Sequence, residues 1–118
     1  MSCSKTTHNL YWVAGNTETL DLRMLDEDLN IEDITGSDAV IGLKLQLSDA
    51  TKAIESVGTV DGPSGRIEIT ISQTETSNLL PANKNKIAYF YAVELTDSNG
   101  HSSTVLEGRV FVSRSVFS

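Results

Sequence analysis

The chain has 118 residues, 39% hydrophobic and 21% charged, the size and composition of one globular domain rather than a disordered segment. A formal net charge of −7 with nine scattered Lys and Arg excludes a phosphate-tracking nucleic-acid surface and selects against acidic partners. No apolar run approaches the ~20 residues of a membrane helix. No apolar h-region follows the polar Met1–Thr7 stretch, and the single Cys3 allows no internal disulfide, so synthesis in a cytoplasm is expected.

Residues 1–8 read as a disordered lead carrying Cys3 as a free thiol, and residues 9–118 as a single β-sandwich domain. Leu10-Tyr11-Trp12-Val13 is a short apolar segment closed by the turn Ala14-Gly15-Asn16. In Thr19–Leu25, Leu20, Leu22 and Met24 alternate with Asp21 and Arg23, and a polar loop follows. Ala39–Leu47 is a strong strand, its inward row Ile41, Leu43, Leu45 and Leu47. A weaker strand runs from Lys52 to Val60 with Ile54, Val57 and Val60. After the turn Asp61-Gly62-Pro63-Ser64-Gly65, Ile67, Ile69 and Ile71 form the next row.

Ser72 and Glu75 have the spacing of a capping box, predicting one helical turn to about Leu79 before Pro81 stops it. The longest pattern is a hairpin. Ile87, Tyr89, Tyr91, Val93 and Leu95 alternate up to Thr96-Asp97-Ser98-Asn99-Gly100-His101, and Thr104, Leu106, Val110 and Val112 continue beyond it. Asn99-Gly100 supplies residues that tolerate positive φ. Six or seven short strands predict an all-β, immunoglobulin-like antiparallel sandwich with one short helical turn. Glu94 and Thr96 mark the second row of the hairpin as outer, which places Phe90, Val105 and Phe111 on an outer surface together with Ser103, Glu107 and Arg109. Either the Leu10–Val13 segment folds back over these apolar residues, or they form a protein interface with it.

Catalytic chemistry finds no footing in the sequence. Asp97, Ser98 and His101 contain the residue types of a nucleophilic triad, but one solvated turn cannot place a base between nucleophile and carboxylate. Gly62-Pro63-Ser64-Gly65 lacks the spacing of a nucleophile elbow. Asp26, Asp28 and Asn30 match the opening of a calcium loop, but Ile31 and Ser37 stand where Gly and Glu are required. His8 and His101, the two imidazoles, sit in a tail and a turn, which disfavours zinc. No enzyme activity, metal or cofactor is expected.

From about Asn16 to Val112 the sequence resembles the N-terminal domain of the phage baseplate upper protein family, an immunoglobulin-like tail module. Its landmarks here are Leu20-Asp21-Leu22 with Asp26-Glu27-Asp28, Ile34-Thr35-Gly36 before Ala39-Val40-Ile41, Gly65-Arg66-Ile67-Glu68-Ile69, and Leu79-Leu80-Pro81. Tyr91 to Gly100 and Thr104 to Val112 complete them. Asn83-Lys84-Asn85-Lys86 departs from the Gly-containing turn that the family often has before the Tyr-rich strand.

The resemblance implies a virion structural protein of a tailed phage or prophage, assembled in the host cytoplasm into tail, baseplate or neck. Family members commonly continue into stalk or host-binding regions, so a lone attachment module implies an adaptor or ring component. The expected partners are other tail, baseplate or neck proteins and further copies of the chain, with no nucleic acid and no membrane. The expected contact residues are Leu10, Tyr11, Trp12, Val13, Phe90, Val105 and Phe111. The competing reading is a carbohydrate-binding or adhesion module that uses the hairpin-tip loops.

Overall fold

Period-two alternation builds strands here wherever a second layer covers one row. The computed structural model describes residues 6–25 and 28–115. Along them run β1 (Thr6–Thr7), β2 (Leu10–Val13), β3 (Glu18–Arg23), β4 (Asp38–Lys44), β5 (Ile54–Val57), β6 (Thr59–Asp61), β7 (Arg66–Ile71), α1 (Gln73–Leu79), β8 (Lys86–Thr96) and β9 (Ser102–Ser113). The larger sheet has the order β1–β9–β8–β4–β5, with β2 also pairing β9. Both N-terminal strands lie parallel to β9, and the other neighbours are antiparallel. The smaller sheet is β3–β7–β6. In immunoglobulin terms this is B-E-D packed on G-F-C-C′, with the first strand alongside G, so the chain is an immunoglobulin-like β-sandwich.

Ile67, Ile69 and Ile71 from one sheet meet Ile41, Leu43, Tyr91, Val93 and Leu95 from the other, all 3% exposed or less. Each such side chain contributes about 1.5–3 kcal/mol by leaving water. Two polar devices close the end of the core. Tyr89 donates its hydroxyl hydrogen bond to the Leu79 carbonyl, tying β8 to α1. Thr76, fully buried on α1, accepts from Gly15 N at 3.1 Å and donates to Asn16 O at 2.8 Å, which fixes the β2–β3 turn. The predicted capping box is present: Ser72 Oγ accepts from Glu75 N, and Glu75 Oε1 accepts from Ser72 N.

Several sequence expectations shift. Thr6 and Thr7 form a strand, and His8 N donates to Glu107 O, so the domain reaches back into the stretch read as a disordered lead. This pairing is through backbone, which polar side chains do not announce. β4 ends at Lys44, because Asp49 accepts from Gln46 N and its own N–H bonds Gln46 O. Leu45 and Leu47 consequently lie beyond the sandwich at 46% and 70% exposure instead of extending its inward row. The Lys52–Val60 segment is two strands, β5 in the larger sheet and β6 in the smaller, and Val57 points outward.

In the hairpin, Val93 faces Leu106 while Glu94 faces Thr104, so Val105 is an extra, bulged residue. The bulge reverses the alternation between its two sides. Ser103 therefore shares the inward face with Leu95, Thr104 lies opposite outward Glu94, and Val105 is buried at 4% rather than sitting on the outer surface. No helix among the described residues is long and apolar enough to cross a membrane.

Candidate protein interface on the outer sheet face

Among the described residues the larger sheet carries its second layer on one side only, and the outward side is organised in rows across the strands. The registers place Val57, Val40 and Glu94 in one row and Glu55, Gly42, Ala92 and Glu107 in the next. Lys44, Phe90 and Arg109 follow, then Ala88, Phe111 and Tyr11. Small side chains at Gly42 and Ala92 make the second row low. A groove of about 600 Å³ lies there, floored by Val40, Gly42 and Ala92 and walled by Leu47 and Lys52 on one side and Arg109 on the other.

The walls are built by specific contacts. Lys52 lies across Gly42, so close that a Cβ there would sit 2.9 Å from Lys52 Cδ. Its ammonium pairs with Glu55 at 2.6 Å, and this hydrogen bond, reinforced by the charges of Glu55 and Glu94, holds the Lys52 pKa above the ordinary lysine value. Arg109 folds its guanidinium over the Phe90 ring at 4.1 Å from the centroid, a cation–π contact. The buried Arg109 Nε makes no hydrogen bond among the described residues. Tyr11 stacks on Phe111 with centroids 5.4 Å apart and planes at 17°. Tyr11 remains 74% exposed and Phe111 38%.

The expected contact residues thus divide. Tyr11, Phe90 and Phe111 lie on the outer face, whereas Trp12 turns inward opposite Val112 and is buried at 6%, and Leu10 packs against the core from opposite Val110. Parallel pairing with β9 forces this split, because neighbouring residues of β2 face opposite ways. Val13 is half-buried, its N–H donating to Glu18 Oε2 at 3.2 Å. Val105 belongs to the core through the bulge. Arg109 covers the Phe90 ring. Strand parity put Arg109 on the outer row, but Gly42, Ala92, Lys52 and Arg109 were not expected as contact residues. The run Ala88-Phe90-Ala92 carried the signal of a low outer row, but the register that aligns it with Gly42 is tertiary.

Elsewhere the polar clusters serve the fold. At the hairpin tip, Asp97 Oδ1 accepts from His101 N at 2.9 Å and Asn99 N at 3.0 Å, and these bonds, His101 first, hold its carboxyl below the usual range. His101 Nδ1 stands 3.7 Å from Asp97 Oδ2 with its side chain 83% exposed. Asp33 is likewise lowered, by hydrogen bonds from the Thr35 hydroxyl and then the Thr35 N–H. Of the calcium-like loop, Asp26 lies outside the described residues. Among those described, no three His, Cys, Asp or Glu side chains gather as metal ligands.

No protein-family model matches this chain, and no curated protein does. Among solved structures it is similar to murine CRIg, at 11% sequence identity over 92% of this chain and 92% of that one, with a TM-score of 0.36.

Proposed function

We propose that this protein is a non-enzymatic structural component of a tailed phage or prophage virion, an adaptor or ring subunit of the tail, baseplate or neck. It works by protein–protein contact through the outer face of the larger sheet. The observation that carries the contact is the Tyr11–Phe111 stack beside the groove over Gly42 and Ala92: exposed rings next to a concave, low-relief surface. The virion assignment draws its support from the sequence landmarks shared with the baseplate upper protein family. In this reading the chain is made in the host cytoplasm and joins the particle during assembly.

The test is incorporation. A tagged chain supplied during phage growth is expected in purified tails at fixed stoichiometry, and a folded Phe111→Glu variant is expected to be excluded from them. A wild-type chain absent from the particles, or a Phe111→Glu chain incorporated as well as wild type, defeats the proposal.

A further inference from the structure

We propose that the outer face of the larger sheet binds a second copy of this chain, face to face about a two-fold axis, the exposed Tyr11–Phe111 stack of each copy seating against the groove side of the other. This deepens the functional reading above and rests on it for the choice of surface. The charge distribution points to the occupant. The chain carries a net charge of −7, yet Lys44, Lys52 and Arg109 balance Glu55, Glu94 and Glu107 around the groove, so the whole excess of negative charge lies elsewhere. Two copies repel one another over most of their surface and not here. A face carrying equal numbers of both signs is complementary to itself once rotated by a two-fold, as an isologous contact requires.

Area and relief agree with that occupant. Strands β1/β2, β9, β8, β4 and β5 span about 24 Å at ~4.8 Å spacing, and with lengths running from ~13 Å for β5 to ~40 Å for β9 the face offers on the order of 600 Å². A stable interface takes roughly 800 Å² from each partner, which the face approaches once side-chain relief is added. The apolar material is distributed as an interface needs it. Val57 at 78% exposure and Leu47 at 70% flank the groove on one side, and Tyr11 stands on the other. The short Ala92 side chain, next to the Lys52 stem that overlies Gly42, keeps the centre of the face low enough for a second sheet to stack at about 10 Å.

Sedimentation equilibrium across a concentration series, with reductant present so that Cys3 cannot bridge chains, tests this directly. Wild type is expected to be a dimer. Ala92→Arg, which fills the groove, and Tyr11→Glu, at a ring held mainly by Phe111, are expected to weaken it roughly tenfold or more with unchanged circular dichroism. Thr70→Arg, which puts the same charge on the exposed face of the smaller sheet, is expected to leave the dimer intact. A wild-type monomer throughout, or a dimer indifferent to Ala92→Arg and Tyr11→Glu, overturns the inference. Incorporation into tails is read separately. A monomer that still enters tails through this face overturns the second-copy inference alone, and a dimer on this face that never enters a particle overturns the virion reading alone.

Discussion

Gly58 lies directly against Ile69: a Cβ built on Gly58 would stand 2.6 Å from Ile69 Cγ1 and 3.2 Å from the Glu68 carbonyl oxygen. The contact occurs where the chain leaves the larger sheet after β5 and enters the smaller at β6, with Gly58 N donating to Ala39 O at 2.9 Å. Ile69 is fully buried and has no room to withdraw. Replacing Gly by Ala often stabilises by reducing the freedom of the unfolded chain. Here the overlap wins, and Gly58→Ala is expected to cost about 1–3 kcal/mol, the usual range for overpacking. Urea denaturation reads this as a lower midpoint at unchanged slope. An unchanged midpoint would show that the sheet crossing is looser than the geometry requires.

The β9 bulge supplies a paired test. Val105 is buried at 4%, whereas Thr104 lies opposite outward-facing Glu94. Val105→Asp is expected to abolish folding, because an unpaired carboxylate would be stranded in the core. Thr104→Asp is expected to leave a folded protein with unchanged circular dichroism. Simple alternation through β9 predicts the opposite outcome at both positions, so the pair of variants decides the register.

The same residues show where sequence reading reaches its limit. Ile67, Ile69, Tyr91 and Val93 were legible as core because their alternation is unbroken and a second layer covers them. The Ser72–Glu75 cap was legible because it is local chemistry. Leu45 and Leu47 continue the alternation of Ile41 and Leu43 but project past the end of the facing layer, and periodicity reports a face without reporting what lies over it. Val105 changed sides through one bulged residue that leaves no mark in composition. On the outer face, Phe90 and Phe111 could be found from strand parity. Arg109 over Phe90 and Lys52 over Gly42 depend on pairings that only the folded chain sets.

Alkaline pH probes the core from within. Burial pushes the Tyr91 hydroxyl up to about 12 and raises Tyr89 as well, while an unfolded tyrosine titrates at about 10. Between these values the unfolded chain holds fewer protons than the folded one, so stability falls as pH rises. It is therefore complete below about pH 10 and is lost progressively towards about pH 12. Tyr91→Phe is expected to flatten that decline. At neutral pH it should cost about 0.5–1.5 kcal/mol, because the His8 carbonyl loses its hydroxyl donor. Denaturant midpoints measured from pH 9 to 12 check both statements. An equally steep decline in Tyr91→Phe would move the cause to other groups.

The hairpin tip separates assembly from adhesion. Gly100 takes a φ of 84° that its lack of a side chain permits, and Asp97 organises the turn by accepting from both Asn99 N and His101 N. The tip lies beyond the ends of β8 and β9, away from the groove over Gly42 and Ala92, and residues 97–101 contain no Phe, Tyr or Trp ring on which a sugar would stack. Asp97→Ala removes two side-chain hydrogen bonds at the exposed tip and is expected to loosen the turn while leaving the sandwich folded. Association and incorporation into tails are expected to remain at wild-type level, and a glycan array is expected to show no binding for either protein. If the wild type binds a glycan and Asp97→Ala alone abolishes it, while Phe111→Glu leaves it unchanged, the tip is the working surface and the outer sheet face is not.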